Sequence, residues 1–134
     1  MLQLSKKVEY GLIALRHMAM NSPGQVFTAK EIAAKYVIPY ELLAKILQKL
    51  TKAGVVVSTQ GMRGGYALAR EPKKVPVSSI ISIIEDVKPT IAECYAEGGE
   101  SCSIFNACTI RKPLGKMQHN LNVLLENTTL EQIV

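Results

Sequence analysis

Three cysteines stand close together in the second half of the sequence, and their spacing limits the chemistry open to them. Cys94, Cys102 and Cys108 follow the pattern Cys-x7-Cys-x5-Cys. Structural zinc sites usually place about two residues between paired cysteines, so that one tight turn aims both thiolates at the ion. An odd number of cysteines within one short segment is also a poor disulfide framework. Thiolates are the ligands that iron-sulfur clusters prefer, so the spacing favours a metal or redox cluster on a long loop.

Three thiolates leave a cluster with a fourth ligand to find or with an open iron. The chain has two histidines, His17 and His119, and Glu9 is the acidic residue beside the lysines near its start. The residues alone do not choose a fourth ligand among these three. The alternative is that Glu9 is an exposed helix residue that pairs with Lys6 or Lys7.

Charge is distributed unevenly along the 134 residues. Residues 1–75 carry 12 basic and 4 acidic side chains (net +8), whereas residues 76–134 carry 4 and 7 (net −3). The first part therefore favours a polyanionic partner. Apolar runs are far shorter than the roughly 18 residues of a membrane span, and charges interrupt the N-terminal segment, so a cytoplasmic location is expected. No nucleophile with a base, no phosphate-binding loop and no zinc-protease motif occurs, which argues against an enzyme.

Helical signals fill the first 54 residues. Apolar residues recur at helical spacing from Ser5 to about Met20, and the sequence from Thr28 to Glu31 has the spacing of a capping box that begins a second helix over 28–35. A third helix begins near Pro39 and ends at Gly54. The two short helices and their three-residue connection predict a helix-turn-helix. The alternative is a plain helical hairpin with a solvated, charged face.

Residues 55–59 and 66–70 read as two β-strands around a glycine-rich turn. Such a hairpin directly behind a helix-turn-helix predicts a wing. Arg63 among three glycines suits a phosphate or a narrow minor groove, because glycine lets the backbone approach closely. A merely flexible hairpin tip is the alternative. Residues 71–76 read as a linker.

The remaining residues predict a helix over about 77–86, a long loop over 87–103 and a terminal helix. A heptad seam runs along that last helix: Ile110, Leu114, Met117, Leu121 and Leu124. It predicts a dimerisation helix, with packing against its own domain as the alternative. One compact domain therefore has a winged helix-turn-helix over 1–76 and a cysteine-loop sensor and dimerisation region over 77–134.

This order of elements resembles the iron-sulfur winged-helix transcription regulators typified by IscR, NsrR and RirA, over essentially the whole chain. The residues that carry the resemblance are Leu4-Ser5-Lys6-Lys7-Val8-Glu9-Tyr10-Gly11-Leu12, Ile32-Ala33, Ile38-Pro39, Leu43-Ala44-Lys45-Ile46-Leu47, Leu50, Ala53-Gly54-Val55-Val56, Gly64-Gly65-Tyr66-Ala67-Leu68-Ala69-Arg70, the three cysteines and Thr129-Leu130.

The resemblance implies a mainly α fold with a small β-hairpin wing, and a homodimeric DNA-binding regulator, expected to be a repressor. Its recognition helices would enter successive major grooves of a palindromic operator. It also implies a [2Fe-2S] or [4Fe-4S] cluster on the three cysteines, with Glu9 of the partner subunit as a further ligand, which senses iron supply, redox stress or nitric oxide. The residues expected to contact DNA are Thr28, Tyr40, Ala44, Lys45, Lys49, Gln60, Arg63 and Gly64.

The chain departs from this family pattern at three places. IscR-like members carry a histidine three residues after the last cysteine, where this chain has Arg111. The wider first cysteine spacing is similar to that of the RirA branch, which responds to iron supply. Many relatives have arginine just before the first wing glycine, where this chain has Gln60, so either Arg63 takes over the minor-groove contact or that contact is missing.

Two further hypotheses compete with cluster sensing. In one, the cysteines form a thiol switch without a cluster and are oxidised to a sulfenic acid or a disulfide. In the other, the winged helix binds a protein partner and its basic face is incidental. The type of partner can be distinguished by salt, because phosphate contacts make affinity fall steeply as salt rises.

Overall fold

The computed structural model describes residues 2–21, 23–96 and 98–134. Within these ranges the chain forms five α-helices and one two-stranded antiparallel sheet, joined by short 3-10 turns. The elements are α1 (Lys6–Met20), α2 (Ala29–Tyr36), α3 (Tyr40–Lys52), β1 (Val56–Thr59), β2 (Gly65–Leu68), α4 (Val77–Glu85) and α5 (Arg111–Asn127). This confirms the predicted fold class, a mainly α chain with a winged helix-turn-helix.

Side-chain caps fix where α1 and α2 begin, as the sequence predicts. Ser5 Oγ accepts a hydrogen bond from the Val8 amide at 3.2 Å. Thr28 Oγ1 accepts from the Glu31 amide at 3.0 Å, and the Thr28 amide donates to Glu31 Oε2 at 3.4 Å, which completes the capping box. Helix α2 ends at Val37 in the left-handed conformation, at φ 56°. This tight reversal leads directly into α3 and completes the helix-turn-helix.

The core lies where α1, α3 and α4 meet. Fully buried side chains include Leu15, Leu43, Leu47, Ile80 and Ile84. Gly11 lets α1 and α4 approach closely, since a Cβ there would lie 2.4 Å from Ile84 Cδ1. Helix α4 therefore shares one core with the helix-turn-helix, although the sequence analysis assigned it to the sensor region.

The β-hairpin is anchored to the segment before α2. Strands β1 and β2 pair from Val56 with Leu68 to Thr59 with Gly65. Phe27 and Tyr66 exchange backbone hydrogen bonds of 2.9 and 2.7 Å, which attaches the hairpin to the helix-turn-helix. Strand β1 begins one residue later than predicted, because the Val55 amide donates to the Leu50 carbonyl at the end of α3. Strand β2 begins one residue earlier and ends two residues earlier than predicted, although the Ala69 amide still donates to the Val55 carbonyl.

Residues 71–76 do not form a free linker. A 3-10 turn spans Pro72–Lys74, and Val75 is fully buried. The Val75 carbonyl accepts from the Leu130 amide at 2.8 Å, and the Val77 amide donates to the Thr128 carbonyl at 2.8 Å. The C-terminal turn, Leu130–Ile133, is thereby held beside the start of α4. Within the described ranges, no helix has the length and apolar character needed to cross a membrane.

Candidate nucleic-acid interface and cysteine loop

Helix α3 presents a basic outer face. Lys45, Gln48 and Lys52 are exposed, and the adjacent Ala44 is half-buried. Tyr40, the first residue of the helix, is also exposed. Among the described residues, Lys45 has no carboxylate within ion-pair distance. The face is therefore available to an anionic partner.

A groove runs between α3 and the hairpin and continues this face. Side chains from both elements line it: Lys45, Gln48, Lys49, Thr51, Lys52, Ser58 and Tyr66. Thr28 lies half-buried at the beginning of α2, with its hydroxyl oxygen engaged in the capping box. The structure thus brings Lys45 and Lys49 to one groove and leaves Thr28 at the N-terminus of a separate helix.

Lys49 differs from the other predicted contacts because its amino group is already bonded inside the chain. Lys49 Nζ donates to the Ile84 carbonyl at 3.0 Å and to Asp86 Oδ2 at 2.6 Å. Both acceptors belong to the C-terminal end of α4. The sequence analysis grouped Lys49 with the DNA contacts and gave no signal of this bond, since its two ends are 37 residues apart.

The tip of the wing is a hydrogen-bonded turn that carries an exposed arginine. Gln60, Met62 and Arg63 are exposed. The Gly64 amide donates to the Gly61 carbonyl at 3.0 Å, and a Cβ on Gly64 would lie 2.4 Å from the Thr59 carbonyl oxygen. Only glycine fits that position. Arg63 forms no ion pair with any described residue.

The three cysteines lie on the segment that joins α4 to α5. All three are half-buried free thiols. Two 3-10 turns, Glu93–Tyr95 and Gly99–Ser101, fold the segment back on itself. A Cβ on Gly99 would lie 2.6 Å from the Cys94 backbone, so this glycine lets the two turns touch. Cys94 and Cys102 are consequently carried on adjoining turns.

Gln118 attaches the beginning of this cysteine loop (residues 87–110) to α5. Its Nε2 donates to the Pro89 carbonyl at 3.0 Å and to Asn122 Oδ1 at 2.8 Å, and its Oε1 accepts from the Ile91 amide at 2.8 Å. The sequence analysis missed this residue. The sequence shows only that a glutamine follows the seam residue Met117. The structure shows that this glutamine lies on the side of the helix that faces the protein.

Arg111 and Tyr95 hold the middle and end of the loop. The Tyr95 hydroxyl donates to the Arg111 carbonyl. The Arg111 guanidinium lies 4.2 Å from the centre of the Phe105 ring, and its Nε is buried without a hydrogen-bond partner among the described residues. Arg111, which stands where IscR-like relatives have a histidine, thus packs against the loop.

The predicted ligands do not converge in a single chain. No three His, Cys, Asp or Glu side chains of the described residues are grouped closely enough to hold a metal ion. Glu9 lies on α1, with its Oε2 at 2.8 Å from Lys6 Nζ, which is the surface pairing weighed as the alternative. The three free thiols have the donor chemistry of a cluster site, but their arrangement in one chain does not preform one.

Neither histidine lies among the cysteines. His17 Nδ1 is 2.6 Å from the Tyr36 hydroxyl, and its ring meets Phe27 edge to face at 4.6 Å between centroids. Burial, together with the positive charge of Lys35, lowers the pKa of His17. This ring is a packing contact between α1 and α2. His119 is exposed on α5.

The heptad seam of α5 is divided between two environments. Ile110, Met117 and Leu124, spaced seven residues apart, are 53%, 54% and 61% exposed, whereas Leu114 and Leu121 are half-buried. Leu125 packs against the core. Helix α5 therefore packs on its own domain through one side and leaves an apolar stripe uncovered along another.

A helix-turn-helix with a basic second helix, followed by an arginine-tipped hairpin, defines a winged-helix DNA-binding fold. Comparison with known proteins gives the family. The Rrf2 family model, described as iron-dependent transcriptional regulator, matches residues 4–134, and the chain belongs to that family. The chain is similar to the regulator NsrR of Oceanobacillus iheyensis, with 30% identity over 133 residues that cover 99% of this chain and 90% of the relative.

Two solved structures share the fold over almost the whole chain. IscR of T. potens superimposes with a TM-score of 0.74 at 26% identity, covering 98% of this chain and 85% of that protein. The oxidised form of CymR from Staphylococcus aureus gives a TM-score of 0.74 at 25% identity, covering 98% and 95%. The matched family and the NsrR relative are described as transcriptional regulators.

Proposed function

We propose that the chain is a homodimeric, cytoplasmic transcription repressor whose affinity for a palindromic operator is set by an iron-sulfur cluster bound at the cysteine loop. The observation that carries this proposal is the placement of three free thiols on a loop fixed to α5 and continuous with α4. Helix α4 packs in the core against α3. A change in the loop can therefore reach both the pairing helix and the recognition helix.

In this proposal α3 enters the major groove and the hairpin follows the adjacent minor groove. Tyr40, Ala44 and Lys45 face the base edges, and the Lys45 amino group can donate to guanine O6 and N7 or to a phosphate. Arg63 reaches into the minor groove, with Gln60 and Gly64 beside it. Thr28, at the N-terminus of α2, contacts a backbone phosphate.

Cys94, Cys102 and Cys108 would supply the thiolates for the cluster, and Glu9 of the partner would supply an oxygen. When bound, the cluster supplies a redox-active and oxygen-sensitive centre. Because the cysteines do not converge in one chain, binding requires the loop to rearrange. Glu9 must also leave Lys6, and this exposed pairing is screened by solvent and easily broken.

A thiol switch without a cluster is the second candidate. The observation that favours it is the set of half-buried thiols that do not converge on one point. The fold is shared with CymR, which has been solved in an oxidised form. In this candidate, peroxide converts a thiolate to a sulfenic acid that can condense with a second cysteine of the loop.

Purification without oxygen distinguishes the two candidates. We expect brown protein with iron-sulfur absorbance, Mössbauer signals and equal iron and sulfide counts, and we expect Cys102→Ala to lose the colour and to change operator affinity. The operator is a duplex selected by the protein from a random-sequence pool. Colourless protein that refuses iron and sulfide, but loses operator binding with peroxide and regains it with reductant, would support the thiol switch instead.

Salt dependence tests DNA binding itself. The logarithm of operator affinity should fall linearly with the logarithm of salt concentration, and Lys45→Gln should reduce the slope by about 1.8 if Lys45 of each subunit contacts a phosphate, at about 0.9 per contact. Control variant Lys112→Gln, on α5, should keep the wild-type slope. A salt-independent, weak duplex affinity would contradict the proposal and would favour a protein partner for the winged helix.

A further inference from the structure

The C-terminal end of α4 is a junction of three functional parts. The Ser5 hydroxyl, which caps α1, donates to Glu85 Oε1. The next residue, Asp86, accepts from Lys49 of α3. Val87 then begins the cysteine loop. Two consecutive carboxylates thus connect the helix that carries Glu9, the recognition helix and the loop of the cysteines.

Lys49 binds this junction at two points. Besides Asp86 Oδ2 at 2.6 Å, its amino group donates to the Ile84 carbonyl at 3.0 Å, one of the last carbonyls of α4. Cations bind favourably at a helix C-terminus, where unpaired carbonyls and the helix dipole concentrate negative charge. Asp86 adopts the left-handed conformation at φ 61°, so it marks the point where the chain leaves the helix for the loop.

The two bonds of the Lys49 amino group also limit its ability to contact DNA. Its side chain is 41% exposed, and its charge already has a carboxylate and a carbonyl as partners. Moving it to a phosphate would break both of these bonds and leave the Asp86 carboxylate without its cation. Lys45 and Lys52, on the same helix, have no such partner among the described residues.

We propose that Lys49 is a positioning residue, tethered to Asp86, that holds the C-terminal part of α3 against the start of the cysteine loop and conveys the state of the loop to the recognition helix. The conveying role rests on the proposed function. When the loop rearranges, the backbone at Asp86 shifts, and the tether changes the orientation of α3. DNA affinity then depends on the loop without any direct contact between the loop and DNA.

The first test is the ratio of operator affinities between two states of one preparation: protein purified without oxygen, and the same protein after peroxide treatment. Peroxide alters the loop whether it holds a cluster or free thiols. Asp86→Asn keeps the size of the side chain, and asparagine tolerates the left-handed conformation. The ratio is taken as the higher affinity divided by the lower one. We expect the ratio of Asp86→Asn to be about threefold smaller than that of wild type, as loss of a partly exposed ion pair allows.

Glu71→Gln is the matched control, because it removes a carboxylate that pairs with Lys73 and Lys74 away from the junction. It should keep the wild-type ratio. The midpoint temperature of thermal unfolding, Tm, should differ from that of wild type by no more than a few degrees in both variants, because the loss of a surface ion pair costs little. An Asp86→Asn ratio equal to that of wild type would overturn the tether.

The second test is the salt slope of operator binding by Lys49→Gln in the untreated state. If Lys49 stays on Asp86 in the complex, the slope equals that of wild type, whereas Lys45→Gln reduces it by about 1.8, since each subunit loses one phosphate contact. A similar reduction for Lys49→Gln would show a phosphate contact and would overturn the proposal. If the affinity ratio of the first test equals one for the wild-type protein, the loop does not control DNA binding, and the conveying role of Lys49 is refuted with it. The salt slope would still show whether Lys49 contacts DNA or stays on Asp86.

Discussion

At the scale of single residues, the cysteine loop depends on a glycine that has no chemistry of its own. Gly99 packs directly on the Cys94 backbone, and a Cβ there would lie 2.6 Å from three Cys94 atoms. Backbone cannot move aside as the end of a flexible side chain can. The position of Cys94 is therefore fixed by the absence of a side chain five residues later.

Gly99→Ala should displace the turn that carries Cys94. We expect faster hydrogen exchange of the amides at 93–103, because overpacking of this kind costs about 1–3 kcal/mol and the loop opens more often. Ala107→Ser is the control, since it changes an exposed residue of the same loop without adding a Cβ. Equal exchange in the two variants would contradict the steric role of Gly99.

His17 gives the stability of the protein a pH dependence. The pKa of its imidazole is lowered in the folded chain, by burial first and by Lys35 second, so the folded state disfavours the charged form. The unfolded chain then binds more protons at acidic pH. The free energy of unfolding therefore keeps the full contribution of neutral His17 above the ordinary histidine pKa of about 6.5. It declines as the pH falls below that value.

Denaturant titrations between neutral and mildly acidic pH measure this effect. His17→Gln should flatten the dependence, while His119→Gln, which removes an exposed histidine on α5, should keep the wild-type profile. A wild-type profile that is unchanged by His17→Gln would assign the acid sensitivity to other groups.

At the scale of elements, α5 holds the cysteine loop through one buried amide. Gln118 is 7% exposed and satisfies the Pro89 carbonyl and the Ile91 amide together. Gln118→Leu should lower the free energy of unfolding by about 1–3 kcal/mol, since two backbone groups would lose their partners. Urea denaturation checks this, with Asn120→Leu on the exposed side of α5 as the control. Similar destabilisation by both variants would show that the helix and not the amide bond is affected.

The wing and the helix-turn-helix are joined by a backbone bridge instead of side-chain packing alone. The exchange of hydrogen bonds between Phe27 and Tyr66 fixes where the hairpin emerges relative to α2. Because each partner both donates and accepts, the hairpin has little freedom to slide. This geometry sets the separation between Arg63 at the wing tip and Lys45 on α3.

At the scale of the whole molecule, the uncovered stripe of α5 is the pairing surface of the proposed dimer. Met117→Glu places a charge in the middle of the stripe, and burying it in a pair of helices would be costly. We expect sedimentation to show a dissociation constant at least about tenfold higher than that of the wild-type dimer. His119→Glu adds the same charge at a neighbouring exposed position and should dimerise normally. A monomeric wild-type protein, or a Met117→Glu dimer as tight as wild type, would contradict pairing through this stripe.

Much of the fold could be predicted from local patterns. The Thr28 capping box, the apolar stripe of α3 and the glycine-rich turn before Tyr66 each act within a few residues, so their structures follow from the residues themselves. The heptad seam of α5 was also visible, but its division into a packed side and an exposed side was not. The linker over 71–76 was predicted wrongly, because the burial of Val75 comes from Leu130 and the C-terminal turn, far along the chain.

The sequence by itself determined the helix-turn-helix, the wing, the basic character of the first part and the grouping of three thiols on one loop, because these depend on residue type and short spacing. Only the tertiary structure decided that Lys49 binds Asp86, that Gln118 holds the loop and that the thiols of one chain do not converge. Each of these depends on residues distant in sequence, or on the path of an irregular loop, and periodicity carries no information about either.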